Sequence, residues 1–213
     1  MRRLTLTPAI LLALVAAAGC GTSSHNVAPA TSTHAAKSPL PATSASTTSQ
    51  PGGPGALQAE ANAAAAGDIP DNQVFLVFRD GNAGYSMKYP EGWARQGSGS
   101  MVVFRDKNNL VRVVIDHGAV PTTASVRRDL SREKGVRVQA PPHSVTLPGS
   151  RGWKVVYSTV SAPNPVTGKR VTLVVDRYYL WRTGRRAVVD LGTPQGVDNV
   201  DAYRLMIGSF RWR

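Results

Sequence analysis

Gly84-Tyr85-Ser86-Met87-Lys88-Tyr89-Pro90-Glu91-Gly92-Trp93 is the stretch that decides how the folded part of this chain is built. Tyr85 to Tyr89 reads as a β-strand. Pro90-Glu91-Gly92 breaks it into a turn, and the large indole of Trp93 just beyond is expected to plug the core. Working outward, Val74 to Phe78 reads as the preceding strand. Met101 to Arg105 and Leu110 to His117 flank Asp106-Lys107-Asn108-Asn109, a loop of the length and composition of a hairpin turn. In the second arm Val111, Val113 and Ile115 share one face.

Beyond this hairpin, Thr122 or Thr123 can cap a helix that runs to Lys134 and stops at Gly135. Three longer strands follow, Trp153 to Val160, Val171 to Trp181 and Ala187 to Leu191, expected to pair antiparallel. Ala162 to Gly168 joins the first two, and Thr183-Gly184 lies at the centre of the next turn. The chain closes with an amphipathic helix capped near Asp198 or Asn199, whose Val200, Tyr203, Met206, Ile207 and Phe210 recur at helical spacing. The sum is an α+β domain over residues 71–213, an antiparallel sheet of about six or seven strands covered by two helices.

Ahead of the domain the texture is different. Met1-Arg2-Arg3 and the apolar run Leu4 to Ala18 have the layout of an export signal. They lead into Leu14-Val15-Ala16-Ala17-Ala18-Gly19-Cys20, which reads as the cleavage and acylation site of a bacterial lipoprotein with residues 1–19 as signal peptide. Small residues let the chain enter a peptidase site extended, and the thiol of Cys20 is the nucleophile that takes the diacylglycerol group. An uncleaved transmembrane helix would need roughly 20 apolar residues, more than this run supplies. An ordinary secretory signal cut at an Ala-x-Ala site is the other reading. Residues 20–70, rich in Ala, Ser, Thr and Pro, cannot bury enough apolar surface to offset their ordering entropy and read as a disordered tether. As a flexible coil it would hold the domain on the order of 40 Å from the membrane. Ala56 to Ala66 has helix-forming composition but is marginal alone.

Cys20 is the single cysteine, so no disulfide supports the domain. The chain carries a formal charge of +12, and residues 71–213 hold 22 Lys and Arg against 11 Asp and Glu. That balance speaks of anionic partners rather than of fold.

Residues 84–93 resemble the G-Y-S-hydrophobic-x-Y-P-x-G-W opening of the PsbP-like domain family, first met as an extrinsic subunit of the photosynthetic oxygen-evolving complex. Val102-Val103-Phe104-Arg105-Asp106 is similar to that family's following strand, Tyr178-Tyr179-Leu180 to its late strand, and Ile207-Gly208-Ser209-Phe210 to its closing I-x-S-F helix. The resemblance covers most of residues 72–213 and implies the family's α+β fold. It does not imply the photosystem role, because the plant subunit's functional N-terminal segment has no counterpart in the low-complexity tether. Bacterial members of the group include exported lipoproteins of unassigned function.

Catalytic patterns are missing: the chain has no G-x-S-x-G, H-E-x-x-H, P-loop or Rossmann glycine pattern. His117 and His143, joined by Asp106 or Asp116, could form a weak metal site, against which stands the reading of both as solvated loop histidines. No cofactor is expected. The better local signal is Arg182-Thr183-Gly184-Arg185-Arg186, which sets like charges facing each other across a turn. Arg177, Tyr179 and Trp181 alternate along the adjoining strand and add aromatic surface beside cations. These six residues, Arg177, Tyr179, Trp181, Arg182, Arg185 and Arg186, form the candidate site for an anion or partner. A solvated edge hairpin that discourages sheet aggregation is the competing reading. Lys169-Arg170 and Arg127-Arg128 read as solvated faces.

The leading functional expectation is a non-enzymatic lipoprotein, anchored by its N-terminal lipid on the extracytoplasmic face of the cell membrane. It would bind or help assemble an envelope protein complex or an anionic polymer, and not nucleic acid. A carrier of a small or metal ligand, held between sheet and C-terminal helix, is the alternative. A hydrolase is the least supported.

Overall fold

In the computed structural model, which describes residues 54–164 and 166–213, the Gly84–Trp93 stretch supplies the middle strand of a small sheet. The expected signal peptide, Cys20 and the tether up to residue 53 lie outside the described residues. In chain order the elements are α1 (Pro54–Ala66), β1 (Phe75–Asp80), β2 (Tyr85–Pro90), β3 (Ala94–Ser98), β4 (Met101–Asp106) and β5 (Asn109–His117). They continue with α2 (Thr123–Arg132), β6 (Arg137–Leu147), β7 (Ser150–Val160), β8 (Thr172–Arg182), β9 (Arg185–Pro194), α3 (Val200–Gly208) and β10 (Arg211–Trp212). No helix among the described residues is long and apolar enough to cross a membrane.

The α+β class and the antiparallel pairing are as expected, but the strands divide into two sheets. The small one runs β1-β2-β10, and the large one β3-β4-β5-β9-β8-β7-β6. On one face of the large sheet, Val111, Val113, Ala187, Val189, Leu191, Tyr178 and Leu180 form a common core with Tyr85 and Met87 of the small sheet. Tyr203, Met206 and Ile207 of α3 complete it. On the opposite face Val155, Tyr157, Leu173, Val175 and Tyr179 are covered by Val126 and Leu130 of α2. Aromatic rings join the two sheets: Phe104 of β4 lies 5.5 Å from Phe78 and 4.4 Å from Tyr89. Such pairs add to the stabilisation from buried area. Trp93 is buried in the same core.

Three strands were not expected from the sequence, and each lacks the local signal. β3 is exposed along its whole length and is held by pairing with β4. β6 contains Pro141-Pro142, read above as a loop around His143; it is an edge strand whose register slips on either side of Ala140. An edge accepts prolines that a central strand would not. β10 follows directly on residues expected to close the helix, of which Phe210 was the last. α3 instead ends at Gly208, where Ser209 donates its N–H to Leu205 and Met206 carbonyls and its hydroxyl to Met206. Phe210 therefore leaves the helix and stacks on Tyr85, with ring centroids 5.8 Å apart.

Helix α2 starts as expected, with Thr122 and Ser125 forming a reciprocal capping box. It stops at Arg132 instead of Lys134, because Glu133 turns into extended backbone and pairs with Arg177 of β8. Packing also begins before the expected boundary at residue 71. The Gly67 carbonyl accepts from Asn109 Nδ2 (2.6 Å) and Asn199 Nδ2 (3.1 Å), and Ile69 N–H donates to Asn199 Oδ1 (2.8 Å). Asn199 thus stands at the N-cap of α3 but makes no side-chain cap bond to it.

Candidate anion-binding site

The structure disperses the six candidate residues of the basic hairpin. Arg177 is only 2% exposed. Its Nε and Nη2 donate to Asp190 at 2.5 and 3.1 Å, its Nη1 pairs with Glu133, and its guanidinium lies 5.0 Å from the Tyr157 ring. Burial by itself would lower the Arg177 pKa, but hydrogen bonds and charge from Asp190 and Glu133 raise it above the ordinary range, so the group stays charged. Tyr179 is buried in the α2-side core, and its hydroxyl, pushed up by burial, has no partner among the described residues. Both residues line a shallow cleft of about 320 Å³ beside α2 but present almost no surface to it. The sequence showed the alternation along the strand but not that α2 covers that face.

Arg182 and Arg185 are register partners across the turn, and neither forms an ion pair among the described residues. Arg186 donates to both oxygens of Asp116 (2.9 and 2.5 Å) and lies 3.5 Å from Asp129. The Asp116 hydrogen bond is the main reason its pKa is raised. Arg185 donates to the Ala83 carbonyl and sits 5.1 Å from the Trp212 ring. That seat explains the glycine of the opening motif: a Cβ on Gly84 would stand 2.6 Å from the Arg185 guanidinium, and its φ of +64° disfavours other residues. Trp181 is half-buried with its indole N–H unpartnered among the described residues, and Arg182 is exposed. Both line a shallow cleft of about 440 Å³ between the tips of two hairpins. Of the hairpin's three arginines, Arg182 alone is left fully to solvent.

The histidines do not converge with carboxylates. His117 lines a cleft of about 430 Å³ with Arg185 and Asn82, while His143 is exposed on β6 with Nδ1 3.3 Å from the Pro141 carbonyl. Among the described residues no three His, Cys, Asp or Glu side chains are grouped as metal ligands would be. The cleft between the large sheet and the start of α3 is about 200 Å³, smaller than typical ligand pockets. Its polar groups serve the fold: Tyr203 donates to the Gly192 carbonyl at 2.6 Å, and Asn199 is occupied as described.

A different face gathers five cations. In the small sheet Arg79 and Arg211 both lie opposite Ser86, one on each neighbouring strand, and Lys88 lies opposite Val77. Strand alternation sends these side chains outward while Phe78, Tyr85, Met87 and Trp212 point into the core. α3 adds Arg204 along one side, and Arg213 follows β10. Together Arg79, Lys88, Arg204, Arg211 and Arg213 line a groove of about 540 Å³ that no Asp or Glu lines. Of the five, Arg204 alone forms an ion pair among the described residues, with Asp201 at 2.9 Å on an exposed helix turn. Arg211 Nη1 is steadied by the Gly208 and Phe210 carbonyls at 2.8 and 2.7 Å. Ser209 closes one end, its Oγ accepting from Lys88 N–H at 2.8 Å where β10 no longer reaches.

No protein-family model matches the chain, and no curated protein matches it by sequence. Among solved structures it is similar to the cyanobacterial PsbP of Synechocystis, at 17% identity and a TM-score of 0.49, over 69% of this chain and 98% of that one. It is also similar to the Ran-binding protein Mog1p of Saccharomyces cerevisiae, at 10% identity and a TM-score of 0.43, over 66% and 96% of the two chains. A third is LpqN of Mycobacterium tuberculosis, described as involved in cell envelope biogenesis, at 16% identity and a TM-score of 0.34, over 67% and 86%. At these identities and TM-scores the likenesses concern fold and say nothing of function. The first of these structures is described as a cyanobacterial PsbP.

Proposed function

We propose that this chain is a lipid-anchored, extracytoplasmic binding module without catalytic activity, which presents its domain to an anionic component of the cell envelope. The observation that carries this reading is the groove on the small sheet, where five cations stand together and no Asp or Glu lines the walls. Like charges held close oppose folding, so a cluster of which only Arg204 is ion-paired suits a partner that brings the negative charge. The hairpin suits that role less well, because Arg186 is paired with Asp116 and Asp129 and Arg185 is engaged by the Ala83 carbonyl. The anchoring part rests on Leu14 to Cys20, with the residues up to about 70 serving as tether.

Cys20→Ala is expected to abolish labelling with radioactive palmitate and to move the protein from the membrane fraction to the soluble one; labelling that persists sinks the anchor. The site is tested by replacing Arg79, Arg211 and Arg213 together with serine, against a control in which Arg127, Arg128 and Arg132 of α2 are replaced. At about 1 kcal/mol per basic residue near an anionic surface, the groove variant should bind anionic vesicles roughly 100-fold more weakly. The control should lose far less, because charges further apart than about 8 Å are largely screened at physiological ionic strength. Equal losses in the two variants would leave diffuse charge in place of a site.

A further inference from the structure

We infer that the groove on the small sheet is a docking site for the phosphate of an anionic glycerophospholipid, with the Ser86 hydroxyl at its floor as a hydrogen-bond donor; this rests on the anion-binding reading above and names its ligand. Ser86 is only 3% exposed and lines the groove, and its Oγ is not among the fully buried unpartnered polar atoms of the described residues, so the little surface it keeps is open to a ligand there. Arg79 and Arg211 are its register partners on either side, and directly opposed strand positions hold their Cβ atoms about 4.5–5.5 Å apart. The row Arg79, Ser86, Arg211 therefore offers a neutral donor between two guanidinium forks. Four of the five cations are arginine, whose planar fork matches phosphate oxygens in pairs in a way that a lysine point charge does not.

The edges of the groove favour a lipid over a polar polymer. Val77 and Leu205 line it and are 43% and 41% exposed. Apolar side chains beside a cationic floor fit the boundary between headgroups and acyl chains, where a surface-bound element buries its apolar part and pairs its cations with lipid charge. A sugar-phosphate polymer would leave those side chains in water. A lipid anchor in the same membrane would also raise the effective concentration of the headgroup, so that weak individual contacts suffice.

The test uses the full-length chain carrying Cys20→Ala, so that no acyl chain contributes, and vesicles of phosphate-free digalactosyldiacylglycerol. Negative charge is supplied by phosphatidylglycerol in one set and by oleate in the other, matched in surface potential. The expected result is binding to the phosphatidylglycerol vesicles about tenfold tighter than to the oleate ones, the size of effect one hydrogen bond to a charged group confers. Ser86→Ala should remove that preference at an unchanged melting temperature. Arg211→Lys, which keeps the charge but loses the fork, should also reduce it. Equal binding of the native groove to both vesicle types overturns the phosphate site and leaves the anion-binding reading standing, whereas no binding to either removes both. A preference that survives Ser86→Ala overturns the placement at Ser86. Soluble polyphosphate bound as tightly as phosphatidylglycerol vesicles would overturn the lipid in favour of a polymer.

Discussion

Asp190→Ala is expected to cost about 3–5 kcal/mol of stability, the usual consequence of stranding a buried charge. Asp190 accepts from Arg177 on one side and from Arg112 Nε, at 2.8 Å, on the other. Arg112 can turn to water, since its side chain is 35% exposed. Arg177 cannot, and would keep Glu133 as its one carboxylate, at the rim of α2. The pair itself need not be net stabilising, because a buried ion pair replaced by apolar groups of similar volume is often neutral. The double variant Arg177→Met with Asp190→Leu should therefore recover most of the loss. Denaturant titration reads both, as a shift in midpoint at constant slope. A single variant within about 1 kcal/mol of the native protein, a value typical of exposed ion pairs, would show that water reaches the network.

Trp93→Ala should cost a similar amount, about 3–5 kcal/mol for truncating a large buried aromatic. That is enough to unfold a domain whose whole stability is roughly 5–15 kcal/mol. The turn that delivers the indole is held at both ends: Glu91 N–H donates to the Val74 carbonyl at 2.8 Å, and Gly92 supplies a φ of +86°. Trp93 belongs to the core cluster shared by the two sheets and α3, so its loss opens a cavity in that core. Thermal unfolding followed by circular dichroism gives the result. An unchanged melting temperature would mean that the indole contributes no core packing.

Local chemistry made much of the fold readable. Val111, Val113 and Ile115 alternate because one face of β5 is buried, Thr122 caps because its neighbours' N–H groups have no other acceptor, and Pro90 to Gly92 turn because their backbones can do little else. Each of these depends on residues a few positions away, which is the range over which propensity and periodicity act. β3 and β10 had no such signal, because their pairing is supplied by partners and not by their own side chains.

The site lay beyond that range. Arg177, Arg185 and Arg186 look alike in sequence, and their roles differ because Asp190, Ala83 and Asp116 arrive from other strands to meet them. Conversely, Arg79, Lys88, Arg204, Arg211 and Arg213 are scattered over the domain and carry no motif. Alternation in Val77-Phe78-Arg79 and Ser86-Met87-Lys88 puts Arg79 and Lys88 on the faces opposite Phe78 and Met87. Which faces adjoin is set by strand register and by where α3 stops, and both follow from long-range packing of Tyr85, Phe210 and Trp212. Charge and strand identity are thus written in the chain locally, whereas the pairing of Arg186 with Asp116 and the assembly of the cationic groove exist only once distant strands have paired.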